Sequence, residues 1–268
     1  MDQKTKAEQF GALHAGPDIL VLPNAWDAAS AAIMADAGAK AVATSSAAVA
    51  WAHGYPDGDT LPLAKLLATV EAVARAARDV PVTADIEGGY TDDLGVLAEN
   101  VKAVIGAGAV GINLEDGVRP PDLHVRKIEA ARKAAEAAGV PLFINARIDV
   151  YLKRLAEGDA AEAETVDRAA KYAAAGASGI FVPGPSDNDL IGRLAKAIAL
   201  PLNIMLLPTL APAAKLQALG VRRVSSGGTP FASAYTHLAK AITAYLADGD
   251  PKAFSAGPEM GNLNKRFG

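Results

Sequence analysis

One unit recurs along this chain and limits its folding more than any other feature. A short apolar run, a polar or glycine-bearing turn and an alanine-rich helical stretch follow one another eight times. The apolar runs fall at 19–22, 41–44, 82–84, 110–114, 142–145, 179–182, 202–205 and 221–225. Helical stretches lie near 27–38, 62–79, 93–107, 122–138, 160–175, 188–199, 211–219 and 230–247. Several of these end on a glycine just before the next run, at Gly38, Gly108, Gly139, Gly176 and Gly220. Glycine closes a helix in the left-handed conformation with the least strain. Pro81, Pro141 and Pro201 then bar the helix from continuing into the strand. Strict alternation with short connections implies parallel strands joined by right-handed crossovers. Eight units favour an α/β fold of the closed (β/α)8 TIM type over an open doubly wound sheet. Residues 1–247 are expected to form that single domain. Residues 248–268, rich in glycine and proline, are expected to form a C-terminal arm or tail outside it.

Composition removes several function classes. The 268 residues include no cysteine, which excludes disulfides, thiolate metal ligands and a cysteine nucleophile. The net charge of −4 is spread without a basic stripe, so nucleic acid is not an expected partner. No apolar run approaches the roughly 18 residues of a membrane span. The polar start leads into no signal-type apolar core, so a cytoplasmic protein is expected.

In a barrel the chemistry sits where strands end and loops begin. The second strand exits into Ser45-Ser46-Ala47 and a longer loop with His53 and Asp57. The third exits into Asp85-Ile86-Glu87-Gly88-Gly89-Tyr90, and the fourth into Glu115-Asp116-Gly117. The fifth gives Asn145-Ala146-Arg147-Ile148-Asp149, the sixth Pro183-Gly184-Pro185, the seventh Asn203, and the eighth Ser225-Ser226-Gly227-Gly228. Three or four carboxylates at one rim repel one another unless a cation neutralises them. Oxygen-only donors point to Mg²⁺, or Mn²⁺, rather than zinc. Asp85 or Asp116 alone would read as a helix cap; Asp85, Glu87 and Glu115 together favour a metal. Arg147, one strand over, suits bidentate binding of a carboxylate or phosphonate. Its alternative is a salt bridge to Asp149 or Glu115. Backbone N–H groups at Ser45, Ser46 and Ala47 could bind an oxyanion. Ser225–Gly228 reads equally as a phosphate loop or a tight turn.

Other apparent motifs carry less. Gly106 to Gly111 spells the G-x-G-x-x-G of dinucleotide sites but precedes a strand instead of following one, so it reads as a helix stop. His14, His124 and His237 read as surface or packing residues, and His53 as a candidate site residue. No lysine ends a strand, which argues against Schiff-base chemistry.

Taken in order, the strand-end segments resemble those of the isocitrate lyase/phosphoenolpyruvate mutase superfamily, most closely its phosphoenolpyruvate mutase-like branch. The matching stretches are Leu22-Pro23-Asn24-Ala25-Trp26-Asp27, Thr44-Ser45-Ser46, Gly54-Tyr55-Pro56-Asp57, Ala84 to Tyr90, Asn113-Leu114-Glu115-Asp116, Asn145-Ala146-Arg147 and Leu202-Asn203. The resemblance implies that Asp85 binds Mg²⁺ directly while Asp57, Glu87 and Glu115 hold metal-bound waters. It implies that Ser45, Ser46 and Ala47 bind the substrate's carboxylate end, and that Arg147 and Asn203 contact its other polar groups. Arg147, Glu115 and Asp57 are then the expected catalytic residues. Relatives commonly form tetramers, which implies a homo-oligomer using the C-terminal arm. The sequence also departs from the family. Isocitrate-type lyases carry a Lys-Arg-Cys-Gly segment after the fourth strand, and mutases carry a longer gating loop there. This chain has only Gly117 to Leu123, without cysteine, and Gly184 stands where some relatives place an acid or histidine. Three readings follow. The first is a Mg²⁺-dependent lyase acting on a small 2-oxo or 2-hydroxy (di)carboxylate through a pyruvate-type enolate. The second is a phosphonopyruvate or phosphoenolpyruvate mutase or hydrolase, and the third a non-catalytic 2-oxo acid binder.

Overall fold

The first predicted strand forms in two pieces, and that break closes the barrel. In the computed structural model, which describes residues 1–255 and 261–268, β1 (Leu20–Leu22) and β2 (Asn24–Ala25) flank Pro23. Proline has no N–H to donate to a ladder. β1 pairs with β9 (Arg223–Ser225) and β2 with β3 (Val42–Thr44), both in parallel. Between them run β4 (Val82–Asp85), β5 (Gly111–Glu115), β6 (Phe143–Arg147), β7 (Gly179–Val182) and β8 (Leu202–Met205). The order β1-β9-β8-β7-β6-β5-β4-β3-β2 therefore takes the sheet around a ring, and β1 and β2 join its two edges through Pro23.

Helices α2 (Ala28–Asp36), α4 (Leu63–Ala77), α5 (Leu94–Gly106), α6 (Pro121–Ala137), α7 (Gly158–Ala174), α8 (Asn188–Ala197) and α9 (Ala213–Ala218) return the chain between strands. The five glycine stops all adopt positive φ, from 70° to 104°, and Gly106–Gly111 is the helix end and strand start expected of it. Two further helices before α4, and one near the C-terminus, are absent from the sequence reading. α3 (Ser46–Ala52) forms inside the long loop after β3, with Ser45 Oγ accepting from Ala48 N. α1 (Gln3–Ala15) closes the end of the barrel where strands begin, burying Ala7, Phe10 and His14. A Cβ at Gly111 would lie 2.7 Å from the Phe10 ring, so this close approach needs glycine. α1 escapes a pattern search because a small alanine and a histidine hold two of its three buried positions.

Two cores result. Ile112, Ile144, Ile180, Leu66 and Ile128 fill the layer between strands and helices. Inside the barrel the filling is polar: Asn145 Nδ2 donates to Asn113 Oδ1 at 2.9 Å, and the fully buried Arg223 donates to the same oxygen at 3.3 Å. The eighth helix forms as α10 (Thr229–Asp248), but not on the barrel wall. None of its residues is buried, Tyr235, Leu238, Ile242 and Leu246 are exposed, and Val21 of β1 is 58% exposed. Beyond it, α11 (Leu263–Phe267) returns to α2 and α4, where Arg266 binds Asp36 and the Ala76 carbonyl, both at 2.9 Å. Part of the expected arm, residues 256–260, lies outside the described residues. Among the described residues no helix is long and apolar enough to cross a membrane.

Candidate active site

A cavity of ≈190 Å³ opens at the strand ends. Ser45, Ser46, Ala47, Asp57, Asp85 and Asn113 line one side, Leu152, Phe181 and Met205 another, and Arg147 also reaches it. Asp85 ends β4, where its backbone N–H donates to Thr44 Oγ1 at 2.9 Å. Its Oδ1 accepts from Glu87 N at 3.1 Å, and Asn113 Nδ2 lies 3.4 Å from Oδ2.

Behind Asp85 stands a network that sequence reasoning did not find. Asp59, Glu87 and Tyr90 adopt φ of 56°, 51° and 63°, the left-handed region that non-glycine residues enter at a cost. They are bonded to one another: Glu87 accepts from Asp59 N and from Tyr90 OH, and Asp59 Oδ1 accepts from Tyr90 N at 3.2 Å. Arg119, from the short loop after β5, bridges Asp59 and Asp92, each at 2.8 Å. The buried Lys127 ammonium donates to the Gly88 carbonyl at 2.8 Å and to Asp92. This lattice fixes the Asp57-bearing loop against the loop after β4. Apart from the Tyr90–Glu87 bond, its partners are 27 to 60 residues apart along the chain, so no local motif announces them.

Arg147 makes both of the salt bridges that its alternative sequence reading offered. Its Nη1 lies 2.7 Å from Glu115 Oε2, and Nε and Nη2 donate to Asp149 at 2.7 and 3.1 Å. A guanidinium carries five N–H donors. Three are engaged here, which leaves one each on Nη1 and Nη2 for an anion in the cavity. Glu115 stands behind Arg147, not on the cavity surface.

Asp116 corrects the sequence reading, in which it was counted with the rim acids. Neighbouring residues of a strand point to opposite faces, so Glu115 faces the barrel interior and Asp116 faces the helices. It is wholly buried there, accepting from Arg168 Nη1 and Tyr172 OH at 2.8 Å and from Asp149 N at 2.9 Å. It does not cap a helix either. His53 is exposed and bonds Thr69 Oγ1 at 3.0 Å, away from the cavity. His14 and His124 pack in the core against Phe143 and Tyr172. Asn203 sits one layer below the cavity, paired in register with Arg223, and Ser225 Oγ donates to its Oδ1 at 3.2 Å. Asn24, Asn113, Ser225, Gly227 and Gly228 also line the cavity.

Burial holds the protons of the site's acids more tightly than water would. Burial pushes Asp85 above the usual carboxylate range, with Arg147 pulling the other way. Burial raises Glu87 to about 7, against the Asp59 N–H that favours its charge. Burial raises Glu115 to about 8 despite Arg147. Among the described residues no three His, Cys, Asp or Glu side chains converge to enclose an ion. The two carboxylates that line the cavity, Asp57 and Asp85, would suit Mg²⁺, which commonly binds one or two carboxylates and keeps several waters. The donor set, all oxygen, fits as well.

A pH dependence follows. Glu87 and Glu115 have folded pKa values above their unfolded ones, so the metal-free fold binds more protons than the unfolded chain and loses stability as pH rises through 7 to 8. His14 and His124, lowered by burial to about 3, act only below about 6.5 and leave that window clear. Thermal unfolding in chelator should show Tm falling by roughly 5 °C between pH 6.5 and 8. Excess Mg²⁺ should reverse the trend, and a flat metal-free profile would contradict the assignment.

Known proteins share this framework. Residues 10–246 match the family model described as phosphoenolpyruvate phosphomutase. A crystal structure from Burkholderia cenocepacia, provisionally described as a phosphonomutase, superposes with a TM-score of 0.85 at 42% identity, covering 89% of this chain and 99% of that one. An uncharacterized protein of Mycobacterium tuberculosis is 36% identical over 241 residues, covering 87% of this chain and 88% of its own. The oxaloacetate decarboxylase of Chromohalobacter salexigens is 28% identical over 231 residues, covering 84% and 80%.

Proposed function

The chain belongs to the isocitrate lyase/phosphoenolpyruvate mutase superfamily of lyases and mutases, and from that membership we propose a Mg²⁺-dependent lyase that releases a pyruvate-type enolate from a small 2-oxo or 2-hydroxy acid. One observation carries the reading: Asp85 and Arg147 face the same ≈190 Å³ cavity, a cation ligand and an anion clamp within reach of one small molecule. Asp85 would hold Mg²⁺ or Mn²⁺ directly, with Asp57, Glu87 and Glu115 orienting its waters. The bound cation supplies Lewis-acid stabilisation of negative charge on the substrate's oxo oxygen. The two remaining donors of Arg147 orient a carboxylate, and Ser45, Ser46 and Ala47 receive that group's other side. Asn203 acts through Ser225, whose hydroxyl it positions. Glu115, raised by burial to about 8, would act on the site through the Arg147 guanidinium it contacts, and Asp57 is the acid at the mouth.

The test incubates protein and Mg²⁺ with oxaloacetate and methylisocitrate and follows pyruvate release, with Asp85→Asn as control. Absence of Asp85-dependent turnover sinks the lyase reading. The 42% identity to a protein described as a phosphonomutase supports a second reading, cleavage or rearrangement of a C–P bond. Phosphorus NMR of phosphonopyruvate with the enzyme decides it, since an unchanged spectrum removes the idea.

The exposed α10 supports a homo-oligomer, the tetramer of the resemblance being its expected form. An apolar helix with no buried residue and a bare β1 flank are complementary surfaces, and a second copy can supply each to the other. Analytical ultracentrifugation should show an assembly that Leu238→Glu with Ile242→Glu dissociates; a monomeric wild type contradicts this.

A further inference from the structure

Beneath the cavity floor lies a cation that no carboxylate touches among the described residues. Arg223 and Ser225 stand two residues apart on β9, so they share its inner face. Ser225 lines the cavity, whereas Arg223 lies one layer deeper and is 1% exposed. Its Nη2 donates to Asn113 Oδ1 at 3.3 Å, while Nε and Nη1 have no hydrogen-bond partner among the described residues. Burial lowers Arg223 to about 9, which leaves it charged at neutral pH, and Asp85 is the acid that favours that charge. On its other side His14 of α1 is neutral, held down to about 3 by burial and by Arg223 itself.

Stability gives little reason for such a residue. A buried ion without a counter-ion is costly, and an apolar side chain of similar volume often serves a fold as well or better. The bonds around it give another reason. Asn113 Oδ1 accepts from both Arg223 and Asn145, which sets the amide with Nδ2 toward Asp85 Oδ2, at 3.4 Å, on the cavity floor. A cation bonded to the amide oxygen polarises the group and strengthens the donor at its other end. Arg147 at the rim already faces two carboxylates, Glu115 and Asp149. Arg223 is therefore the cation beside the cavity whose charge no contact offsets.

We infer that Arg223 is a positioning residue for the anionic substrate: through the Asn113 amide, its unpaired charge holds negative charge on the cavity floor. The inference rests on the metal-and-anion reading of this site. Calorimetric titrations of the folded protein test it, first with Mn²⁺ alone and then with oxalate in saturating Mn²⁺. Arg223→Met should weaken oxalate binding at least about tenfold and leave Mn²⁺ binding as tight as before or tighter, because loss of a buried cation disfavours an anion nearby and favours another cation. Arg223→Gln keeps a donor for Asn113 Oδ1 without the charge and should behave in the same way. The opposite movement of the two affinities separates a charge effect from damage to the site, which would weaken both. Oxalate binding that is undiminished, oxalate and Mn²⁺ binding lost together, or failure of both variants to fold would each give Arg223 a structural role only and overturn the inference. Wild-type protein that binds no oxalate in Mn²⁺ would overturn the metal-and-anion reading along with it.

Discussion

Asp85→Asn is expected to weaken Mg²⁺ or Mn²⁺ binding by at least ~100-fold and to remove turnover, because one carboxylate supplies the direct bond. The same substitution should leave the metal-free fold as stable as before, or more so. Burial holds the Asp85 carboxyl above its usual range, which means that its charge opposes folding at neutral pH. Asparagine keeps the shape and the acceptor for Glu87 N while removing that charge. Function and stability therefore move apart at this position, a pattern that mere structural damage would not produce. Metal titration and thermal unfolding on the same preparation measure both. A less stable variant with intact metal affinity would remove Asp85 from the centre of the site.

Asp116→Ala should do the reverse, costing about 3–5 kcal/mol of folding stability. The loss leaves Arg168 with Glu164 as its one remaining carboxylate among the described residues, and leaves the Tyr172 hydroxyl and Asp149 N–H without their acceptor. Urea unfolding reads the loss directly. Mn²⁺ affinity of the folded protein should change far less than in Asp85→Asn, since the Asp116 side chain reaches the site only through the Asp149 backbone N–H. A stable Asp116→Ala protein that no longer binds Mn²⁺ would restore Asp116 to the rim acids.

These two acids show how far the sequence carries. Both follow strands, and local pattern treats them alike. Their roles separate only once strand pairing sets the facing: Asp85 ends β4 at the cavity, whereas the register of β5 sends Glu115 inward and Asp116 outward. The barrel itself was legible, because an eightfold alternation with glycine stops admits few folds. Pro23 was visible as a residue, but its use as the point where the barrel closes depends on partners near residues 43 and 223. α10 was legible as a helix and not as a displaced one, since periodicity reports an apolar stripe without saying what covers it. Asp85, Asp57, Arg147 and Ser45–Ala47 lie together at one cavity as strand-end logic expected. The bridge of Arg119 to Asp59 and Asp92 was hidden because it joins separate loops, and Asn203 lies a layer deeper than expected because its register partner is the buried Arg223.

The claim on which the rest depends is that a divalent cation binds at Asp85 in the cavity that Arg147 also faces. Crystals grown with Mn²⁺ and oxalate test it most directly, through the anomalous signal of the metal. The expected result is one peak about 2.1 Å from an Asp85 Oδ atom, with the oxalate between the metal and Arg147. Ordered oxalate with no peak at Asp85, or a peak elsewhere on the chain, would contradict it.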